Sequence, residues 1–572
     1  MPVQNSEIAE IFSQVADLLE IGDANPFRVR AYQNAARTVQ GLGRDLTEMV
    51  AGGEDLSGLP GIGKDLAAKI TEIVQNGKLR MLSDLETRLP AGLLELLKIP
   101  ALGPKRVKAL YQRLQVKDLN GLWRAARAGR IRGLEGFGPK LEELILTGLE
   151  HRPRGTGRRL WAEAEPVVQA LLKHLRAAGI REVEAAGSFR RCAETVGDLD
   201  ILAAAEKPDP VMRRFLAYED VAATASRGPT RATVRLKNGL QVDLRVVAPA
   251  SYGAALHYFT GSKAHNIAVR KLGQRRKLKI NEYGAFRGSR RVAGRREEEI
   301  YRLVGLAYIP PELREMRGEL EAAREGRLPK LVSARDLRGD LHAHTNASDG
   351  ADSLEAMVQA ARARGHEYLA ITDHSQRVTV AHGLKPRQLA EQLKRIDRLN
   401  ARLRGFTVLK GGEVDILADG SLDLPDALLD ELDVVVASVH YQFRLSAEQQ
   451  TARILKALDN RRLNILAHPT GRLLGEREPY ALDLERILRE AKARGCHLEL
   501  NSHPQRLDLD DVHCRLAKSL GVKIAINTDA HSVRGLDDLR YGVGQARRGW
   551  LEAGDVLNTR PLPELRKLLR RA

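Results

Sequence analysis

The chain has 572 residues, 43% hydrophobic and 29% charged, a globular composition too long for one core and suited to ~three to five domains. Lys and Arg outnumber Asp and Glu by 92 to 74, and the net charge of +18 points to a polyanionic partner, most commonly nucleic acid. Three cysteines without a CxxC exclude a disulfide framework or thiolate zinc site. The absence of a ~20-residue apolar run or a signal peptide leads us to expect a cytoplasmic protein without a membrane span.

Residues 1 to about 155 read as short amphipathic helices broken by Gly and Pro. One pattern occurs three times: LPGIGKDLAAKI at 59–70, IPALGPKRVKAL at 99–110 and LEGFGPKLEELI at 134–145. Each copy places an apolar residue and a tight Gly turn ahead of a Lys that opens a helix. Such a turn offers backbone N–H groups to a phosphate, aided by the helix dipole. Gly61 with Gly63, Gly103, and Gly136 with Gly138 supply the turns, backed by Lys64, Lys105 and Lys140. The second copy has Ala101 where the first glycine belongs. These segments resemble helix-hairpin-helix motifs, which implies contact with the DNA backbone without reading of sequence. A basic linker, HRPRGTGRR, follows at 151–159.

Next comes EVEAAGSFRRCAETVGDLDILAAA at 182–205. A strand runs into the Gly187-Ser188 turn, Arg190 and Arg191 follow, and Asp198 and Asp200 lie on a second strand. Strand side chains alternate, so both carboxylates point one way. Paired unneutralised carboxylates repel, and a divalent metal is the usual remedy. Asp243, in LQVDLRVV, adds a third carboxylate from a later strand. Two metals about 4 Å apart, held by such a triad, suit in-line phosphoryl transfer.

These motifs, continued in HYFTGSKAHNIAVR at 257–270 and NEYGAF at 281–286, resemble the DNA polymerase X family within the nucleotidyltransferases. The resemblance implies that Asp198 and Asp200 bridge two Mg²⁺ or Mn²⁺ ions, and that Asp243 serves the catalytic one. Gly187, Ser188 and Arg191 would hold the β- and γ-phosphates. Tyr258, Phe259 and Gly261 would lie against the sugar, Asn266 at the base edge and Arg270 on the template side. Lys263 stands where some relatives carry an acid, and a cation there would favour metal-free nucleotide binding. In this family a lysine at the position of Lys69 forms a Schiff base with an abasic sugar. Here a neighbouring basic position of that lyase site is Asp65.

Residues 311–336 are charged and poor in strand signals, so a linker is expected there, bounded at 316–336. From 337 to the end, seven apolar runs (DLHAHT, EYLAITDHS, FTVLKGGEVDI, DVVVASVHY, NILAHPT, HLELNSH and VKIAINTDAH) each end in His, Asp, Glu or Asn and alternate with helical stretches. A β/α barrel gathers such strand ends on one face, and imidazole–carboxylate clusters suit Zn²⁺ or Mn²⁺. The segment resembles the polymerase and histidinol phosphatase (PHP) domain. That resemblance implies one metal site from His342, His344, Glu413 and Asp529. A second would come from Asp349, His374 and His531, and a third from His440 and His468 with Glu413. Asp349 replaces a histidine of some relatives.

The expected architecture is multidomain: all-α helix-hairpin-helix N-terminal domains, an α/β nucleotidyltransferase palm and thumb, and a C-terminal distorted (β/α)7 barrel. Boundaries are placed at 1–80, 81–155, 156–250, 251–315, 316–336 and 337–572. The resemblance implies a monomeric gap-filling polymerase in base excision repair, acting on gapped or nicked DNA with dNTPs. Its barrel would be a 3′–5′ exonuclease or 3′-end phosphoesterase. A small-molecule phosphoesterase and a non-catalytic DNA-binding scaffold are the alternatives.

Overall fold

The computed structural model describes residues 5–570 apart from 43, 45, 91, 98, 100–101, 139–140, 143–144 and 146–157. The chain divides into two compact units, Met1–Gly157 and Arg158–Ala572. Among the described residues no helix is long and apolar enough to cross a membrane.

The first unit is helical. Helices Asn5–Ile21, Pro26–Gln40 and Lys64–Asn76 enclose one apolar cluster, in which Phe12 meets Tyr32 edge-on at 5.6 Å. A second cluster forms around Leu93, Leu96, Val107, Leu110, Leu122 and Phe137. Each hairpin plugs an apolar residue into its cluster: Ile62, Leu102 and Phe137 are all buried. Gly61 and Gly136 adopt positive φ (+77° and +78°), a conformation that requires no Cβ. Gly63 and Gly103 cap the helices Lys64–Asn76 and Pro104–Leu114, and Cβ atoms added there or at Gly138 would meet nothing within 4 Å. The turns therefore keep one open face. Lys140, Ala101 and most of the 151–159 linker lie outside the described residues.

The second unit begins with β1 (Arg159–Leu160), antiparallel to β3 (Thr195–Val196). The palm sheet runs β2 (Val183–Ala185), β4 (Leu199–Ala204), β7 (Gln241–Val247), β6 (Arg231–Leu236) and β5 (Val221–Arg227). Only β4 and β7 are parallel in it. Helices Trp161–Arg176 and Pro208–Leu216 cover one face with Val168, Leu171, Leu175, Met212 and Phe215.

The thumb packs helices Tyr252–Thr260, Lys263–Arg275 and Glu297–Leu303 with β8 (Lys279–Asn281), β9 (Gly284–Arg287) and β10 (Arg290–Ala293). The stretch expected as a linker after it is folded. Leu313, Leu320 and Ala323 join the thumb cluster, Arg314 is buried against Glu297 at 2.8 Å, and buried Glu319 holds His265 at 2.8 Å. Its buried charges are met by partners elsewhere in the fold, such as Glu297, His265 and Asp511, which a charge count along the sequence reads as solvation.

The barrel comprises β11 (Gly339–Asp340), β12 (Tyr368–Ile371), β13 (Thr407–Asp415), β14 (Val434–Ser438), β15 (Ile465–Leu466), β16 (His497–Asn501) and β17 (Ile524–Asn527). All pair in parallel and in chain order. The ring closes beyond its first and last strands through an Ala343–Ala530 bridge, with Asp529 N donating to His342 O at 3.0 Å and His344 N to Ala530 O at 2.9 Å.

Palm and barrel share buried contacts. Arg472 Nη2 meets Glu194 Oε1 at 2.5 Å, and Gln545 Nε2 donates to the same oxygen at 2.6 Å. Arg548 bridges Glu315 and Asp511, both at 2.8 Å, and donates to the Arg191 carbonyl at 2.9 Å. Trp161 meets Tyr541 edge-on at 5.2 Å.

Candidate active sites

In the palm, β2 leads into Gly187 at φ +62°, the start of the short helix Gly187–Arg190. A Cβ at Gly187 would overlap the Asp200 carboxylate, so both backbone conformation and space demand glycine. The parallel register sets Asp200 opposite Asp243, and Asp198 precedes β4 by one residue. Asp243 is oriented by Thr233 Oγ1 at 2.5 Å, Gln241 Nε2 at 2.8 Å and Arg231 Nη2 at 3.4 Å. Burial, then the charges of Asp198 and Asp243, push Asp200 up to about 7. Burial and then Asp243 raise Asp198 as well. Three mutually repelling carboxylates form a cation-demanding site.

Ser188 lies half-buried on the helix after Gly187. Arg190 holds Glu297 through two bonds of 3.0 and 2.7 Å and donates to Thr260 Oγ1 at 2.7 Å. Arg191 bonds Glu315 at 3.0 Å and the Thr260 carbonyl at 2.6 Å, so its guanidinium faces the thumb rather than open solvent. Tyr258 and Phe259 close the Tyr252–Thr260 helix, which Gly261 ends at φ +72°. Lys263, Asn266 and Arg270 follow at spacings of three and four on the next helix and share one face. Asn266 Nδ2 donates to the Tyr258 carbonyl at 2.6 Å, while its buried Oδ1 has no hydrogen-bond partner.

In the first unit Lys69 forms an ion pair with Asp65, one helical turn earlier. Schiff-base chemistry would have to break that pair before the amine became nucleophilic.

The barrel gathers its ligand-type residues at the strand exits. Donor atoms converge in three groups within 4.8 Å: His342, His344, Glu413 and Asp529; His344, Asp349, His374 and His531; and His374, Glu413 and His440. His468 Nε2 reaches Glu413 Oε1 at 2.9 Å. His342 Nε2, His344 Nε2 and His374 Nδ1 stand 3.2, 3.5 and 3.0 Å from Glu413 Oε2, yet this buried oxygen forms no directed hydrogen bond. His342 Nε2 and His374 Nδ1 likewise lack a hydrogen-bond partner, whereas His344 Nε2 lies 3.1 Å from Asp529 Oδ1, and this donor set fits borderline divalent ions. Burial, then the neighbouring His374, hold His344 down to about 4, leaving the neutral imidazole a metal takes. Asp529 and His468 sit at positive φ (+56° and +27°), backbone strain of a kind that concentrates at functional sites.

Behind these donors stand carboxylates that the sequence reading missed. Glu499 accepts from His342 Nδ1 at 2.7 Å, Asn527 Nδ2 at 2.9 Å and His468 N at 2.7 Å. Asp415 orients His440 Nδ1 at 2.9 Å, and Asp373 accepts from Thr345 N at 2.8 Å and Ser348 Oγ at 2.6 Å. Such partners fix tautomer and ring orientation. The available signal was a glutamate set between two leucines inside a buried parallel strand, as in HLELN.

Family models match in chain order: a helix-hairpin-helix domain at 3–79, a SAM-like helix-hairpin-helix tandem at 93–150, a DNA polymerase beta thumb at 255–315 and a PHP domain at 340–503. The "DNA polymerase/3′-5′ exonuclease PolX" of Bacillus subtilis (strain 168) is 38% identical over 574 residues, covering 100% of both chains. The chain belongs to the PolX family. PolX is thus the frame for both sites, a family X DNA polymerase joined to a PHP domain. The barrel region also resembles probable phosphatases. That of Thermoanaerobacter sp. (strain X514) is 32% identical over 34% of this chain and 78% of its own length. That of Syntrophotalea carbinolica is 29% identical over 40% of this chain and 94% of its own. In this PolX chain, then, the two sets of converging donors lie in separate halves of one compact unit.

Proposed function

We propose that the chain fills short gaps during base excision repair, adding deoxynucleotides from dNTPs to gapped or nicked DNA in the palm and trimming 3′ ends in the barrel. The Asp200–Asp243 pairing on parallel neighbours, with Asp200 pushed up to about 7, carries this reading. Mg²⁺ or Mn²⁺ held by Asp198, Asp200 and Asp243 would supply activation of the primer hydroxyl and charge neutralisation on the phosphates. Asp243, clamped by Thr233 and Gln241, aims its carboxylate, while Gly187 lets backbone approach the phosphates closely. Ser188 and Arg191 bind the β- and γ-phosphates, for which Arg191 exchanges Glu315. Tyr258, Phe259 and Gly261 line the sugar, Lys263 adds a cation, Asn266 offers its unpartnered Oδ1 to the base edge, and Arg270 faces the template. The three hairpins hold DNA backbone at their open glycine faces.

In the barrel, Zn²⁺ or Mn²⁺ held by His342, His344, Asp349, His374, Glu413, His440, His468, Asp529 and His531 would supply a hydrolytic nucleophile for a 3′-terminal phosphodiester. The full-length PolX relative favours a 3′–5′ exonuclease over a phosphatase.

A one-nucleotide-gapped duplex with labelled primer tests both halves. Asp243→Ala is expected to reduce extension at least about a thousandfold while Mn²⁺-dependent shortening persists. His344→Ala is expected to abolish shortening and spare extension. Extension at the original rate in Asp243→Ala would sink the polymerase site, and undiminished shortening in His344→Ala would sink the barrel site.

A further inference from the structure

The loop leaving β14 carries Tyr441 and Phe443 just beyond His440. Each ring is clad by a guanidinium from another strand exit. Arg377, from the loop after β12, lies 4.7 Å from the Tyr441 centroid, and Arg477, from the loop after β15, lies 4.4 Å from that of Phe443. Both rings have a second neighbour. Arg453 stands 4.6 Å from the Tyr441 ring and donates to the Tyr441 carbonyl at 3.0 Å, and Tyr480 stacks with Phe443 at 5.9 Å and 13°. The β16 exit adds Arg506, whose side chain is 19% exposed and whose Nε is 3.6 Å from the Asp529 carboxylate. Arg377 is exposed and Arg477 half-buried. Burial, then the nearby charge of Arg506, lower Arg477, so these two cations are held together against their mutual repulsion.

We propose that this rim of ring-bound arginines grips a single polynucleotide strand leading into the barrel site, which selects DNA 3′ ends over small phosphate esters. A guanidinium held over an aromatic ring is pre-organised: it offers a nucleobase a cationic surface and its N–H groups donate to a phosphate. A small ester engages only the donor cluster, whereas a strand engages the cluster and the pairs beside His440 together. An anionic backbone also relieves the Arg477–Arg506 repulsion. The rim accounts for a polynucleotide substrate on a barrel that resembles probable phosphatases.

The inference rests on the phosphoesterase reading of the barrel, and one comparison separates the two. Mn²⁺-dependent hydrolysis of a single-stranded oligodeoxynucleotide and of bis(p-nitrophenyl) phosphate is measured for the full chain and for the Arg377→Ala/Arg477→Ala double variant. Neither arginine is itself a candidate metal ligand. The ratio of kcat/KM for the oligonucleotide to that for the small diester is expected to fall at least about tenfold, the scale of one lost base-stacking contact. A ratio within about twofold of the wild-type value overturns the rim. Hydrolysis of neither substrate by the wild-type chain overturns the phosphoesterase reading and the rim with it. Arg377→Lys/Arg477→Lys keeps charge but loses the planar guanidinium, and an intermediate ratio is expected from it should the alanine variant fail to fold.

Discussion

Single residues decide both sites through conformation and charge. At Gly187 a side chain meets left-handed strain of about 1–2 kcal/mol and the Asp200 carboxylate at once. Gly187→Ala is therefore expected to reduce gap filling about a hundredfold, the cost of a misplaced reacting group, with a much smaller change in melting temperature. Glu297 is a structural counterpart. Burial opposes its ionisation, but Arg314 and Arg190 outweigh it and hold the carboxyl down to about 2 from its ordinary 4.5. The stabilisation is complete above pH 4.5 and is lost as pH falls towards about 2, a contribution on the order of 3 kcal/mol. Glu297→Gln should be less stable at neutral pH and show a flatter loss of stability across that window, as followed by urea unfolding at stepped pH. The DxD motif was legible as a local spacing, although Asp198 lies one residue before β4 and not on the strand that alternation assumed. Glu297 was not, because its partners lie in distant segments of the thumb and palm.

Among the elements, the hairpins were readable because Gly-apolar-Gly states a turn, a plug and a helix cap within three residues. Lys64 and Lys105 are exposed in the first turn of the helices that follow those caps. Lys64→Ala and Lys105→Ala are each expected to weaken DNA binding evenly across sequences and to lower the slope of log affinity against log salt by about one. Anisotropy titrations at several salt concentrations measure this, and an unchanged slope would remove that lysine from the interface. The barrel strands were also legible, since each apolar run ends in a ligand-type residue. The stretch 311–336 misled because buried ion pairs and solvated charges are identical in composition. Only the thumb context of Arg314 and Glu319 separates them.

On the scale of the molecule, palm and barrel form one body with charges sealed between them. Burial holds the Glu194 carboxyl above its ordinary range, and Arg472 is the main counter-charge that opposes the shift. Arg472→Met leaves that acid uncompensated and is expected to cost about 3–5 kcal/mol in denaturant unfolding. No motif announced this contact, because Glu194 and Arg472 are joined only by tertiary structure. The barrel's own closure carries a different consequence. The hydrogen bonds that shut the ring run between His342 and Asp529 and between His344 and Ala530. Slippage of the seam by a single position would turn every imidazole it carries to the opposite side of the wall. Hydrolysis and ring closure therefore fail together, and the opening and final strands of the barrel are constrained to change in concert.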